Sequence, residues 1–169
     1  MAGPVKGAGR ITRLALLTAI ALTIFLAEAQ LPALTAVPGV KLGLANIVTV
    51  YAMFALGPGD ALLVLSGRVF LGAVFSGQMM TLIYSAAGGF LSWCVLCLLR
   101  RLLTGEQIWL ASPVAAVFHN LGQLLAAAAV LRSWAVMAWL PYLIIAAILA
   151  GLFTGMAAQA LLRRLSGLS

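Results

Sequence analysis

Long apolar runs, separated by short breaks of glycine, proline and polar residues, form the main pattern of this chain. Their lengths and spacing predict six helices, at 13–31, 43–57, 60–75, 78–99, 113–131 and 136–162. Turn-forming residues mark the breaks, at Pro38-Gly39, Gly57-Pro58-Gly59, Ser76-Gly77, Thr104-Gly105-Glu106 and Arg132-Ser133. The pattern therefore predicts an all-α protein.

The predicted helices differ in length. The second and third runs reach only about 22 to 24 Å at 1.5 Å per residue, against a bilayer core of about 30 Å. We expect them beside irregular or re-entrant chain, and we expect the long last run to tilt or to extend beyond the membrane. Asp60 is predicted to cap the third helix, and Ser112-Pro113 is predicted to begin the fifth.

Composition places these helices in a membrane. Hydrophobic residues make up 64% of the chain and charged residues only 8%, far from the averages of soluble domains. We predict a six-transmembrane-helix bundle in the cell membrane. A cytoplasmic N-terminal tail would cover 1–12, the transmembrane domain 13–162 and a cytoplasmic C-terminal tail 163–169.

The basic residues predict the orientation of the bundle, because cytoplasmic loops carry an excess of lysine and arginine. An inside N-terminus leaves only Lys41 and Arg132 on outer loops. The inner side then holds Lys6, Arg10, Arg13, Arg100, Arg101, Arg163 and Arg164. The net charge of +7 therefore reflects topology and anionic lipids, and we expect no nucleic-acid partner.

Several polar residues fall inside the apolar runs, where burial makes them costly. Arg68 lies near mid-depth and needs a partner or a cavity; it either pairs structurally, with Glu28 as a possible partner, or holds an acidic group of a ligand. His119 and Gln123 share one helical face, with Asn120 beside them. These three residues serve either as hydrogen-bonding contacts between helices or as part of a binding site.

Small residues recur every four positions on two helices. Ala15 and Ala19 begin one such series in the first helix, and Gly151 and Gly155 belong to another in the last. Such series allow close helix packing, and the first helix alternatively docks onto another membrane subunit. Cys94 and Cys97 have no second pair or nearby histidine, so we predict buried packing cysteines and no metal site.

Four segments together carry a family resemblance. They are "PGVKLGLANIVTVYAMFALG", "RVFLGAVFSG", "YSAAGGFLS" and "HNLGQLLAA". In this order and spacing the chain resembles the Gx transporter family, also called heptaprenyl diphosphate synthase component I, over most of residues 12 to 160. That family is similar to the substrate-binding S components of energy-coupling-factor (ECF) transporters.

The resemblance implies a six-helix fold that binds a solute from the outer side and works with a transmembrane coupling subunit and two ATPases. Ala15 and Ala19 match the small-residue docking surface of the first helix, and Lys41 and Asn46 would lie at the solute site. We therefore expect a small, anionic or partly polar solute and no cofactor. The candidate binding residues are Lys41, Asn46, Arg68, Gln78, Tyr84, His119, Asn120 and Gln123.

Two other functions stay open. The chain is alternatively a membrane subunit of a prenyl diphosphate synthase. It would not be the catalyst, because magnesium diphosphate chemistry needs clustered carboxylates and the three acids, Glu28, Asp60 and Glu106, are far apart in sequence. A solitary secondary transporter is the other alternative, with His119 and Glu28 as proton carriers. The sequence contains no phosphate-binding loop, so ATP-driven transport would need a separate ATPase.

Overall fold

A computed structural model describes residues 7–30, 43–77, 79–104 and 106–166. These residues form helices joined by short turns, which confirms the all-α prediction for the described part of the chain. The elements are α1 Ala8–Glu28, α2 Asn46–Ala55, α3 Pro58–Ser76, α4 Met79–Leu102, α5 Ile108–Leu131, a 3₁₀ helix Trp134–Trp139 and α6 Leu140–Ser166.

Five of these helical segments are long and apolar enough to cross a membrane, with the 3₁₀ helix continuing into α6. The protein is therefore a multi-pass membrane protein. The sixth predicted span corresponds to α2, whose 10 residues reach only about 15 Å. The third predicted helix is longer than expected, because α3 contains 19 residues and begins at Pro58. Similarly, α1 begins at Ala8, inside the range predicted as the N-terminal tail.

The helices place the basic residues at one end of the bundle. Arg10 at the start of α1 forms an ion pair with Asp60 at the start of α3. Trp93, late in α4, donates its indole N–H to the carbonyl oxygen of Pro58 at 3.0 Å. The backbone N–H of Trp109 in α5 donates to Gln159 in α6 at 3.2 Å. We call this the basic end. Its described arginines are Arg10, Arg13, Arg100, Arg101, Arg163 and Arg164.

Two predicted helix starts are wrong. Helix α5 begins at Ile108 and includes Pro113, while Ser112 uses its hydroxyl to hydrogen-bond Thr154 of α6 at 2.9 Å rather than to cap α5. Asp60 is not a cap either, because Gly57 precedes Pro58 at the N1 position of α3. The carboxylate of Asp60 instead accepts hydrogen bonds from Arg10. In both cases the side chain that the sequence predicted as a cap instead hydrogen-bonds a neighbouring helix.

The small residues of α6 pack as predicted. Ala147, Gly151 and Gly155 are buried, and Gly155 faces Trp109 so closely that an added Cβ would lie 2.9 Å from the Trp109 carbonyl oxygen. Pro113 has no N–H to donate to that carbonyl. The glycines of α6 therefore let its backbone approach the proline-containing turn of α5.

Helices α4 and α5 also meet through glycine. A Cβ added at Gly88 would lie 2.5 Å from the carbonyl oxygen of His119, and one added at Gly122 would lie 2.8 Å from that of Ala87. This close approach brings the backbone of α4 beside the polar residues of α5.

The small residues of α1 have the opposite environment. Ala15, Ala19, Thr23 and Ala27 are all exposed on the bundle surface, and α1 is the least buried of the five candidate spans. They do not contribute to packing within the described chain. The predicted packing cysteines are also not buried, since Cys94 is exposed and Cys97 is partly exposed.

Candidate functional site

Polar side chains converge in the half of the bundle away from the basic end. Glu28 ends α1, Asn46 begins α2, Arg68 lies in the second half of α3, and His119 and Gln123 lie in the middle of α5. All five are buried, with exposed fractions between 1% and 7%. We call these five residues the polar cluster.

Glu28 joins the end of α1 to the start of α2. Its carboxylate oxygens accept the backbone N–H of Gly43 at 2.7 Å and that of Leu44 at 2.9 Å. A carboxylate at a helix N-terminus pairs with N–H groups that have no partner within the helix. The sequence pointed instead to a possible ion pair between Glu28 and Arg68. The charge of Glu28 acts on Arg68, but the hydrogen bonds described for its carboxylate go to this backbone.

Arg68 is almost completely buried, at 2% exposure. One of its terminal nitrogens lies 3.4 Å from the side-chain oxygen of Asn46, which is long for a hydrogen bond. Its Nε has no hydrogen-bond partner in the described part of the chain. The described neighbours thus orient the guanidinium but do not provide partners for all of its hydrogen-bond donors.

Two glycines bring backbone against His119. Gly43 has a φ of +79°, and a Cβ there would lie 2.8 Å from Nδ2 of Asn46 and 3.2 Å from Cδ2 of His119. Gly88 approaches His119 from α4, and the imidazole interacts with its backbone. A side chain at either position would displace the imidazole or Asn46, so these glycines are part of the construction of the site.

The buried polar groups are incompletely hydrogen-bonded. In the described residues, six buried side-chain atoms have no hydrogen-bond partner. These atoms are Asn46 Nδ2, Thr49 Oγ1, Arg68 Nε, His119 Nδ1, Asn120 Oδ1 and Gln123 Oε1. Leaving such a group unpaired costs about 1 to 3 kcal/mol, so folded proteins usually satisfy it with protein, water or a ligand.

The other predicted site residues have different positions. Asn120 is fully buried, but its amide nitrogen donates to the carbonyl oxygen of Leu143 at 3.1 Å and so joins α5 to α6. Tyr84 packs in an apolar cluster with Leu124 and Leu143. Lys41 and Gln78 lie outside the described residues. The structure therefore brings together Asn46, Arg68, His119 and Gln123 of the predicted set.

The sequence prediction missed three contributors to this region. Thr49 is buried and unpartnered, and it follows Asn46 by one helical turn. Gly88 shapes the position of His119 from α4. Glu28 was considered as a charge partner, whereas its described hydrogen bonds anchor the start of α2. Of these, only Thr49 had a readable signal, since residues three apart share a helical face.

The arrangement is suited to non-covalent binding. Arg68 Nε and Asn46 Nδ2 are hydrogen-bond donors, while Gln123 Oε1 is an acceptor, and Thr49 can be either. A cationic donor group beside neutral amides matches a molecule that has an acidic group and further polar atoms.

Comparison with known proteins gives one informative result. The family described as heptaprenyl diphosphate synthase component I matches residues 17–161. No curated protein and no solved structure gives a significant match. The match includes every member of the polar cluster and confirms the resemblance seen in the sequence. The chain belongs to the heptaprenyl diphosphate synthase component I family.

Proposed function

We propose that this protein is the substrate-binding membrane subunit of a transporter, similar to the S component of an ECF transporter. Its solute is small and anionic or partly polar. The observation that carries the proposal is the set of buried polar atoms without partners around Asn46, Arg68, His119 and Gln123. A bound solute would supply the partners that the described residues do not.

The position of Arg68 supports an acidic group on the solute. A charge near the centre of a bilayer costs about 2.5 to 3.5 kcal/mol on insertion scales, so intramembrane arginines usually have a functional role. Arg68 has one long contact to Asn46 and an unpartnered Nε. A carboxylate or phosphate oxygen would bind there with a charge-assisted hydrogen bond.

Access to this site follows from the predicted orientation. If the basic end faces the cytoplasm, the polar cluster lies in the outer half of the membrane. Lys41 and Arg132 would then attract an anion at the outer surface, and Gln78 would add a polar group at the edge of the site. Arg132 is exposed and follows the last residue of α5, at the end of the bundle opposite the basic end.

Docking to a coupling subunit is proposed at Ala15 and Ala19. Both residues are exposed on α1, so they are available to a partner helix. Small residues permit close contact between transmembrane helices. ATPase subunits would bind the coupling subunit and supply the energy for transport.

The solute site is tested by identifying a copurifying molecule with native mass spectrometry and then measuring its affinity. We expect Arg68→Met to weaken binding at least about 30-fold, because a buried charged hydrogen bond to a ligand is lost. Thr154→Val, in the α5–α6 contact, is the matched control and should bind as wild type. Equal affinity of the Arg68→Met variant would contradict the proposed site.

The docking surface is tested by copurification with a coupling subunit. Ala15→Trp combined with Ala19→Trp should abolish the assembly, because two indole rings would separate the helices. Ala86 is also exposed but lies on α4, so Ala86→Trp should leave the assembly intact. An assembly that survives both substitutions in α1 would rule out this surface.

The family description favours a second candidate, a membrane subunit of heptaprenyl diphosphate synthase. The role would be non-catalytic, since the acids do not cluster: Glu28 ends α1 and Asp60 pairs with Arg10 at its start, about 30 Å away. Coexpression with a soluble prenyl synthase tests this candidate. Association and increased synthase activity would support it. If neither is observed, the transporter subunit is the candidate function that remains.

A further inference from the structure

A groove at the basic end lies outside the proposed solute site. It has a volume of about 640 Å³ and opens between the end of α4 and the turn that joins α2 to α3. Its lining residues are Pro58, Gly59, Trp93, Cys94, Cys97, Arg100 and Arg101. The groove thus combines two arginines with an aromatic and thiol wall.

The two arginines of the groove are available to an anion. Arg100 and Arg101 form the last turn of α4 and are exposed. Within the described residues, neither guanidinium has an ion pair or a side-chain hydrogen bond. Asp60, the acid at the start of α3, pairs with Arg10 instead. Guanidinium groups bind phosphate oxygens with paired hydrogen bonds.

The apolar wall of the groove is held in place and continues onto the lipid-facing surface. Trp93 is fixed by its hydrogen bond to Pro58, and Phe90 stacks on it with ring centroids 6.0 Å apart. Phe90 and Cys94 are exposed on the same face of α4, one turn apart. An apolar chain of a ligand that lay on this face would extend from the arginines into the hydrocarbon of the bilayer.

The level of the groove also matches a lipid headgroup. It lies where α4 ends, and transmembrane helices typically have arginine and tryptophan at the boundary between hydrocarbon and water. We infer that this groove binds an anionic phospholipid of the surrounding bilayer. Arg100 and Arg101 bind the phosphate. The face formed by Trp93, Phe90 and Cys94 contacts the part of the acyl chain nearest the headgroup.

Nanodiscs with equal amounts of phosphatidylglycerol and phosphatidylcholine provide the test. After gentle extraction, native mass spectrometry counts the lipids that stay bound. We expect wild type to retain phosphatidylglycerol preferentially, and R100Q/R101Q to reduce this preference by about 30-fold, since each direct guanidinium–phosphate contact contributes about fivefold. If the double variant does not fold, Arg101→Gln alone should reduce it about fivefold.

Another arginine pair provides a matched control. Arg163 and Arg164 also form the last turn of a helix at this end and are exposed, but they do not line the groove. R163Q/R164Q should therefore retain the lipid within about twofold of wild type, since every contact in the groove remains and the extracted protein no longer faces a charged bilayer surface. Equal losses in the two double variants would show general attraction to an anionic surface and would overturn the groove.

Two further arms separate lipid from free phosphate. Cys94→Phe keeps both arginines but obstructs the path of the chain, so it should reduce lipid retention. Inorganic phosphate added at millimolar concentration should not displace the lipid. Full retention in Cys94→Phe would show that the chain does not lie on this face, and displacement by inorganic phosphate would show that the groove recognises only the phosphate; either result would contradict the lipid proposal.

Discussion

Two regions of the bundle contain the same kinds of buried polar side chain, but these side chains are hydrogen-bonded differently. One region is the contact between α5 and α6, and the other is the polar cluster. Between α5 and α6, Ser112 hydrogen-bonds Thr154, and the side-chain amide of Gln159 accepts from the backbone N–H of Trp109 and donates to the carbonyl oxygen of Glu106. In the polar cluster, atoms of Asn46 and Gln123 have no hydrogen-bond partner among the described residues, although these side chains are also buried. The same kinds of polar side chain thus form bonds between helices in one region and keep unpaired atoms in the other, which is the difference on which the proposed solute site rests.

The backbone explains part of this difference. At the α5–α6 contact, Gly151 and Gly155 let the helices approach until hydroxyls and carbonyls touch. In the polar cluster, the charged Arg68 and the short helix α2 bring together more polar atoms than they can satisfy. The first region therefore stabilises the bundle, whereas the second carries a cost in stability that, under the proposed function, a bound solute would offset.

The largest effect on stability is expected for Gly151→Ala. The added Cβ would overlap the Cα of Pro113, and overpacking of this kind costs about 3 kcal/mol. Gly59 is the control, since a Cβ there has no atom within 4 Å; Gly59→Ala should be neutral or slightly stabilising. Unfolding in detergent measures both. Equal stability of the two variants would contradict the close packing of α5 and α6.

A smaller effect, on binding alone, is expected for Gln123→Met. Methionine has a similar volume and removes the unpartnered Oε1. We expect the affinity for the copurifying solute to fall about tenfold, as expected for the loss of one hydrogen bond to a ligand. The free energy of unfolding without solute should not decrease. A destabilised variant with unchanged affinity would place Gln123 among the interhelical contacts.

The next smaller effect is a difference in stability between variants of two buried threonines. Thr154 bonds Ser112 and Gly151, so Thr154→Val should cost about 1 kcal/mol of stability. Thr49 is also buried on a helix, but its hydroxyl has no partner among the described residues. Thr49→Val should therefore be neutral or stabilising. Chemical unfolding of the two variants in the same detergent checks the difference, and the reverse order would contradict it.

The smallest effect is expected at the basic end. The Arg10–Asp60 ion pair is on the surface, with 55% of the Arg10 side chain exposed, and such pairs contribute about 0.2 to 1 kcal/mol. Asp60→Asn should destabilise by no more than this amount, and the difference should shrink at high salt. A larger loss that does not depend on salt would show that Asp60 has another role.

The sequence predicts the membrane class, the helical fold and most of the helix order. Hydrophobic periodicity depends on local composition, so these features can be read directly. The start of α5 could not be read correctly, because Ser112-Pro113 resembles a helix start and only the contact with Thr154 and Gly151 shows why the helix continues through it. Tertiary contacts decide such boundaries.

The candidate site could be predicted in part for the same reason. Asn46, Arg68, His119 and Gln123 are visible as polar residues in apolar runs, and the structure brings them together. The sequence could not show that Asn120 turns toward Leu143 or that Tyr84 packs among apolar side chains. It also could not show that Cys94 is exposed beside two arginines. Each depends on the direction of a helical face in the assembled bundle.

The central claim is that the polar cluster retains incompletely satisfied groups in order to bind a solute. The most direct measurement determines unfolding stability and solute affinity on the same purified Arg68→Met variant. We predict that it binds the copurifying solute at least about 30-fold more weakly while its solute-free form is at least as stable as wild type, because a charge that is costly in the membrane is removed and Glu28 keeps its hydrogen bonds to the backbone of Gly43 and Leu44. A variant that is strongly destabilised but binds the solute with wild-type affinity would contradict the account.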